Sequence, residues 1–161
     1  MSEVIIRPIE KKDNEQIAAL IRKVLVDLGV PKVGTAYADK ALDDIYQAYN
    51  VDRAIYFVVE DNGVLIGGAG IAQLENYDGN VCELQKMYFL EVARGRRLGS
   101  TMLQKCIVEA TAFKFDKCYL ETMTYMKAAQ ALYKKKGFDY IDGPLGDTGH
   151  FSCPVQMLKI L

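Results

Sequence analysis

The sequence has few residues of the kinds that metal centres, disulfide frameworks and membrane spans require. Among its 161 residues the only histidine is His150, and the four cysteines (Cys82, Cys106, Cys118 and Cys153) form no CxxC pair, so a zinc site has no support. Isolated cysteines with apolar neighbours are typical of a reduced cytoplasmic protein. No apolar run reaches the roughly 20 residues of a membrane helix, and no secretory signal is visible.

The charge balance excludes a second class of function. The chain has 20 basic and 21 acidic residues and a net charge of −1, so we expect no wide basic surface for nucleic acid. Half of the residues are apolar and a quarter are charged, which is typical of a globular protein. With no repeat or linker-like segment, the length predicts a single domain over 1–161.

The most informative stretch is 81–114, which reads as a strand, a basic turn and an amphipathic helix. Unpaired N–H groups and the helix dipole make such a helix start attractive to anions. Arg94, Arg96 and Arg97 add guanidinium donors suited to phosphate, and Gly95 and Gly99 allow close backbone approach. A solvated surface turn is the alternative, and the turn matches neither the nucleotide P-loop nor the dinucleotide fingerprint.

Periodicity and turn residues predict the order β-α-α-β-β-β-α-β-α-β-β. Strands are predicted over 4–9, 54–60, 64–74, 81–90, 117–122, 138–141 and 151–160, and helices from an Asp13 N-cap with Gln16 to a stop at Gly29, over 39–49, after Arg97 and over 125–136. The glycines of 64–74 indicate a bulge or close backbone approach. The helix after Arg97 should return the chain to a parallel strand, which gives an α/β layered domain with a mixed sheet and helices on both faces.

Polar residues interrupt the third strand of the predicted meander. A strand covered on both faces should be almost continuously apolar, but this one contains Glu83, Gln85 and Lys86. Burying such groups without partners costs about 1–3 kcal/mol each. The pattern therefore favours a strand that opens on a cleft, and a solvated edge strand is the alternative.

Two motifs in this order resemble those of the GNAT superfamily of acyl-CoA-dependent N-acyltransferases. MYFLEVARGRRLGSTML is similar to the pyrophosphate motif of that family, and AAQALYKKKGF is similar to the motif around the thioester sulfur. The likeness covers nearly the whole chain. It implies a sheet that splays between its fourth and fifth strands, acetyl-CoA as acyl donor, and no metal.

The resemblance also implies a set of cofactor contacts. The pyrophosphate would bind the backbone of the basic turn, and the pantetheine arm would pair like an added strand with β-strand residues 87–89. The implied cofactor residues are Met87, Tyr88, Phe89, Arg94, Gly95, Arg96, Arg97, Leu98, Gly99, Ser100, Met126, Ala129 and Lys136. Two positions depart from the family pattern. Arg97 replaces a glycine, where we expect a helix-start conformation without positive φ, and Met126 replaces a common asparagine.

Catalysis by such an enzyme needs a base, an oxyanion donor and an acid. The resemblance assigns the acid to Tyr133, which otherwise reads as a core aromatic, and a backbone N–H near Phe89 is the candidate oxyanion donor. We expect Glu83 to be the base, acting through water from the same strand face as Met87; a structural carboxylate paired with Lys86 or an arginine is the alternative. His150 is the second candidate base, and Glu121 and Tyr88 are weaker ones.

The resulting hypothesis is an acetyl-CoA-dependent N-acetyltransferase that acts on an amine of a small molecule or peptide. A non-catalytic acyl-CoA sensor or partner module is the alternative. The acceptor should lie between loop 30–37, the second helix and loop 143–150, which carry Tyr37, Asp39, Asp147 and His150. This mixture selects no single amine. The sequence leaves the oligomeric state open, a homodimer included.

Overall fold

A seven-stranded mixed sheet forms the centre of the protein, with strand order β1-β2-β3-β4-β5-β7-β6. The computed structural model describes residues 3–161. The strands are β1 (Val4–Pro8), β2 (Ile55–Asp61), β3 (Val64–Gln73), β4 (Val81–Phe89), β5 (Lys117–Thr122), β6 (Asp139–Tyr140) and β7 (Val155–Ile160). The α-helices are α1 (Asn14–Asp27), α2 (Ile45–Tyr49), α3 (Leu98–Ala112) and α4 (Lys127–Lys135). This order and the α/β architecture confirm the prediction.

Strands β4 and β5 are parallel neighbours that separate halfway along their length. They pair only over Val81–Glu83 on β4 and Lys117–Tyr119 on β5, whereas β4 continues to Phe89 and β5 to Thr122. On its other edge, β5 pairs with β7 along its whole length. The predicted splay between the fourth and fifth strands is therefore confirmed, and it leaves the last residues of β4 without a partner on that edge.

A bulge in β4 lies at the start of this splay. The register with β3 shifts between Gly68, which faces Tyr88, and Gly70, which faces Gln85, and Lys86 adopts a left-handed conformation with φ of 50°. The Tyr56 ring packs where side chains at Gly68 and Gly70 would point, at 2.7 and 2.6 Å from an ideal Cβ. Its hydroxyl donates to the Lys86 carbonyl at 2.8 Å, which satisfies a group displaced from the ladder. Of the two alternatives predicted for the β3 glycines, this contact shows the close approach, and the extra residue of the bulge lies on β4.

Two apolar cores cover the two faces of the sheet. On one face α3 packs on β3 and β4, with Met102, Leu103 and Cys106 almost fully buried. On the other face α1 and α2 enclose a core that contains Ile17 and Ile21. Helices on both faces match the expected layering, and Cys82, Cys106 and Cys118 are free and buried as expected. In residues 3–161, no helix combines the length and apolar character needed to cross a bilayer.

The predicted position of the first helix cap is confirmed, since Asp13 is the N-cap of α1, but its side chain does not cap the helix. Asp13 makes no side-chain cap to α1, because its carboxylate accepts hydrogen bonds from Arg7 at 2.8 and 3.0 Å and from the Glu10 backbone at 2.8 Å. These contacts fold residues Lys11–Asp13 into a 3-10 turn ahead of α1. The predicted stop is confirmed, since α1 ends at Asp27 and Gly29 has a φ of 71°.

Two other predicted elements are shorter than expected. The helix predicted over 39–49 is a 3-10 turn, Lys40–Asp43, followed by α2, because Asp44 leaves the helical region with φ −132° and ψ 49°. The last strand begins at Val155 instead of Phe151, because Ser152 hydrogen bonds to Gly34 and Val33 in another loop. These loops thereby join across one end of the sheet.

Candidate functional site

The splay between β4 and β5 opens into a cavity of about 330 Å³, here named the splay cavity. Its lining comes from both strands, from the start of α4 and from the C-terminal end of α1. The lining includes the predicted cofactor residues Met87, Tyr88, Phe89, Arg94, Met126 and Ala129, together with Tyr133. The structure therefore brings these separate parts of the sequence together.

The backbone of β4 presents alternate residues to this cavity. The Leu90 N–H donates to the Ile66 carbonyl at 2.8 Å, so Leu90 faces β3. Because alternate residues of a strand point their N–H and C=O groups to opposite edges, Tyr88 also faces β3 and Phe89 faces the splay. Of the three strand residues expected to pair with pantetheine through the backbone, Tyr88 is therefore excluded from that role. Its side chain still lines the cavity.

The turn before α3 has the features of an anion site. No backbone N–H from Gly95 to Ser100 makes a hydrogen bond of ordinary geometry to another of residues 3–161. Gly95 adopts a φ of 72°, and Arg94 is exposed. Arg96 donates to Asp61 at 2.9 Å, so its guanidinium is partly occupied by the protein itself. The turn therefore offers a row of amide donors and exposed arginine side chains.

Arg97 differs from the sequence-based expectation. It is the N-cap of α3 and has a φ of 58° and ψ of 19°, which is the left-handed region that glycine adopts without strain. The expectation that this position needs no positive φ was wrong. The turn keeps the backbone shape that a glycine would give, and it carries a cationic side chain in addition.

This strain gives a stability prediction. Arg97→Gly and Arg97→Ala both remove the guanidinium, but only glycine relieves the left-handed conformation, which costs other residues about 1 kcal/mol. We expect Arg97→Gly to have the larger free energy of unfolding by about that amount, measured by urea denaturation. Equal stabilities would mean that the turn is not held at positive φ.

Tyr133 lies on α4 and faces the splay cavity. The side chain is buried, and burial raises the pKa of its phenol to about 12. Its ring packs on Phe138 with centroids 6.0 Å apart, which fixes its direction. The phenol is thus a neutral proton donor at physiological pH, beside the part of β4 that faces the splay. Lys136 lies outside the cavity lining, and its contact with the cofactor stays a prediction.

A second cavity, of about 390 Å³ and here named the polar cavity, adjoins the splay. Lys86 lines both cavities. Glu83, Gln85 and Lys86 line the polar cavity, as the polar interruption of the strand predicted. Since β4 lies between β3 and β5, the alternative of an edge strand is wrong.

The carboxylate of Glu83 is almost fully buried and accepts a hydrogen bond from Gln85 on the same strand. Its Oε1 accepts from Gln85 Nε2 at 2.7 Å, and Gln85 Oε1 accepts from the hydroxyl of buried Tyr49. Burial is the main cause that raises the pKa of Glu83, to about 7; the Gln85 hydrogen bond opposes it and the charge of Glu121 adds to it. A carboxyl with this pKa can accept protons near neutral pH.

The expected face of Glu83 was wrong. The alternation of side chains along a regular strand predicted that Glu83 and Met87 share one face, but the bulge at Lys86 interrupts that alternation. Met87 packs with the α3 core, whereas Glu83 points into the polar cavity on the other face. The alternative pairing of Glu83 with Lys86 is also wrong, since Lys86 donates to Asp39 at 3.0 Å.

His150 and Asp39 close one side of the polar cavity. Nε2 of His150 lies 2.9 Å from both carboxylate oxygens of Asp39, and Nδ1 lies 3.8 Å from Glu121. Burial lowers the pKa of His150, but the hydrogen bond and charge of Asp39 outweigh it, so the net pKa is raised. The pKa of Asp39 is lowered, because His150 and Lys86 outweigh the effect of burial. Asp39 therefore has two basic side chains of the protein, Lys86 and His150, as hydrogen-bond partners.

Sequence reasoning missed the connections inside this cluster. Tyr49, Thr148 and Tyr119 were not singled out, and Gln85 was noted only for its polarity. Tyr119 and Thr148 both donate to Glu121, and Tyr49 donates to Gln85. Alternation of polar residues on β5 could have suggested Glu121 as a neighbour of Glu83, but nothing local indicated the loop residue Thr148.

A comparison with protein families decides the identity of the chain. Residues 22–138 match the model of the acetyltransferase (GNAT) family, which is more than half of the sequence. The chain belongs to the GNAT acetyltransferase family. The motif resemblance is thereby confirmed, and the protein is an acyltransferase by family.

Curated relatives agree with this assignment. An Escherichia coli protein named "Uncharacterized N-acetyltransferase YjgM" is 42% identical over 158 residues, which cover 98% of this chain and 95% of the relative. The IAA acetyltransferase of Azospirillum brasilense is 32% identical over 106 residues, or 66% of this chain and 67% of that protein.

Solved structures show the same GNAT fold. A GNAT-family acetyltransferase from Staphylococcus aureus superposes with a TM-score of 0.87 at 21% identity and covers 99% of both chains. The PaiA N-acetyltransferase of Thermoplasma acidophilum, solved in complex with coenzyme A, has a TM-score of 0.75 at 17% identity and also covers 99% of both.

Proposed function

We propose that this GNAT protein transfers the acetyl group of acetyl-CoA to an amine of a small molecule or peptide by direct attack on the thioester. The proposal rests on two cavities of different character that adjoin at Lys86. One is the splay cavity beside an unpaired strand edge, and the other is the polar cavity that holds Glu83. A thioester at their junction would face an acceptor amine from the polar side.

The cofactor contacts proposed for the chain follow from the free backbone groups. The amides from Gly95 to Ser100 would bind the pyrophosphate, with Arg94 and Arg97 as added cations. The pantetheine amides would pair with Phe89, whose N–H and C=O face the splay, and with Met87 beside the bulge. The coenzyme A complex of the Thermoplasma relative supports a carrier of this kind.

The chemistry assigns one role to each catalytic group. Glu83 takes a proton from the acceptor ammonium, through water, so that a neutral amine reaches the thioester carbon. The new C–N bond gives a tetrahedral oxyanion, which a backbone N–H of β4 near Phe89 that does not pair with pantetheine stabilises. The C–S bond then breaks, and Tyr133 donates its proton to the leaving thiolate, whose pKa is about 8–9. Loss of the remaining N–H proton gives the neutral amide, and solvent reprotonates Tyr133.

The experiment follows thiol release from acetyl-CoA with a broad panel of primary amines, beside calorimetry with coenzyme A. We expect coenzyme A to bind and at least one amine to give turnover with stoichiometric acetylated product. Tight binding with no turnover for any amine would favour the sensor function. The absence of binding at millimolar coenzyme A would refute the cofactor assignment itself.

A further inference from the structure

We propose that Gln85 and Glu121 are positioning residues for Glu83, one acting by a hydrogen bond along β4 and the other by its charge across the splay, with opposite effects on the base. The inference rests on the proposed role of Glu83 and concerns how its environment sets the pH range of the enzyme. Neither residue contacts the reacting atoms in this mechanism.

Gln85 is held in one orientation by a hydrogen-bond chain. Its Oε1 accepts from the Tyr49 hydroxyl, so its Nε2 is directed at Glu83, which it reaches at 2.7 Å. Tyr49 is itself fixed, since its ring is buried and packs on Tyr56 with centroids 5.2 Å apart. A donor fixed on a carboxylate favours the ionised form of that group.

Glu121 is fixed in a different way on the neighbouring strand. Its Oε2 accepts from the Tyr119 hydroxyl at 2.7 Å, and its Oε1 accepts from the Thr148 hydroxyl. Glu83, Glu121 and His150 each place a polar atom within 4.8 Å of the others. A like charge held this close disfavours ionisation of Glu83, because both side chains are largely buried and the interaction is only weakly screened.

Other titratable groups lie near Glu83 and remain constant in the comparison of variants. They are Lys86 and Tyr88 on β4, Tyr119 on β5, Tyr49 on α2, Asp39 on the loop before α2, and His150 and Cys153 before β7, while Cys118 on β5 lies on the opposite face of the sheet. Burial is the largest cause of the raised pKa of Glu83, about 7; Gln85, His150 and Lys86 lower it, and Glu121 raises it. Gln85 and Glu121 are the pair whose opposite effects can be removed by near-isosteric changes.

Substitutions at Gln85 and Glu121 should therefore have opposite effects on the pH dependence of kcat/KM. The part of the pH–rate profile that rises as Glu83 loses its proton, the acidic limb, should move to higher pH in one variant and to lower pH in the other. Gln85→Met removes the donor and should shift the limb in kcat/KM upward by about one pH unit. Glu121→Gln removes the charge and should shift it downward by a similar amount. Tyr49→Phe, which frees the Gln85 amide to rotate, should give a smaller upward shift. A merely structural role would lower the rate without moving the limb.

The experiment measures kcat/KM between pH 5.5 and 9 with one amine, whose own titration is common to all variants. In parallel, the Glu83 carboxyl is titrated by NMR in protein labelled at the glutamate side chains, with its signal assigned by its loss in Glu83→Gln. This second readout needs no substrate, and thermal melts check that each variant is folded.

Opposite shifts in the NMR titration and in the profile support the inference. Unmoved values, or shifts in the same direction, overturn it. A wrong assignment of Glu83 as the base would give a different result, because the acidic limb would then persist in Glu83→Gln. If the limb disappears in Glu83→Gln but does not move in Gln85→Met and Glu121→Gln, only the positioning role fails.

Discussion

Replacing Glu83 by glutamine is expected to lower kcat/KM by about 10²–10⁴-fold, the usual contribution of a general base. Glutamine fills the same buried space and still contacts Gln85, but it cannot accept the proton of the acceptor ammonium. Affinity for coenzyme A should not change, because Glu83 lies in the polar cavity and not in the splay cavity. Steady-state kinetics and calorimetry measure the two effects separately.

The pH profile of this variant gives a sharper result than the rate alone. The pKa of Glu83 is about 7, so the rate of the wild-type protein should rise with pH through that value and then level off. The limb should be absent in Glu83→Gln. Glu15→Gln, an exposed change on α1, is the matched control and should retain both rate and limb. Full activity of Glu83→Gln would exclude Glu83 as the base.

The same raised pKa links activity to stability. Because the folded pKa lies above 4.5, the ordinary value for a glutamate, the native state binds more protons than the unfolded chain between about pH 4.5 and 7. Stability from this group is therefore lost as the pH rises through that window. At pH 8 we expect Glu83→Gln to have a higher Tm than the wild-type protein, although it is nearly inactive. The two proteins should become more alike at pH 5.

Replacing Tyr133 by phenylalanine is expected to lower kcat by about 10²-fold, because the thiolate must then leave without its proton donor. The ring still packs on Phe138, so the fold and the affinity for coenzyme A should be retained. Burial keeps the phenol protonated, with a pKa of about 12, across the working pH range. The loss should therefore be nearly independent of pH, unlike that of Glu83→Gln.

The choice of acyl donor tests this assignment directly. With an acetyl thioester whose leaving thiol is more acidic, the need for protonation falls, and the defect of Tyr133→Phe should shrink. Tyr140→Phe, which removes a hydroxyl that donates to Gln130 outside the lining of both cavities, is the control. A defect of the same size with both donors would point to a packing role for Tyr133 instead of proton transfer.

The parts of the site that sequence could predict are those encoded in contiguous residues. The strand, turn and helix of 81–114 carry their own periodicity and glycines, so the basic turn before α3 could be predicted with its residue numbers. The polar residues of β4 likewise indicated a cleft. Local signals failed where a residue distant in sequence formed a competing hydrogen bond. Arg7 donates to the Asp13 carboxylate, which therefore does not cap α1, and the Ser152 N–H donates to the Gly34 carbonyl, so Ser152 does not join the last strand.

The bulge at Lys86 shows why the direction of Glu83, the proposed base, could not be predicted. Its cause is the Tyr56 ring, which comes from another strand, lies over Gly68 and Gly70, and binds the Lys86 carbonyl. No feature of the β4 sequence specifies that contact. Glu83 and Met87 are four residues apart and would share one face of a regular strand. They lie on opposite faces because the bulge interrupts the period of two.

Taken by itself, the sequence determined the order of strands and helices, the basic glycine-containing turn before α3 and the family, because each depends on residues near one another in the chain. Tertiary structure alone decided that Glu83 faces the polar cavity, that Glu121 and His150 lie beside it, and that Arg97 adopts a left-handed conformation. The pKa of a carboxyl depends on burial and on charges a few ångströms away. Those neighbours come from β5 and from the loop before β7, and only folding brings them to β4.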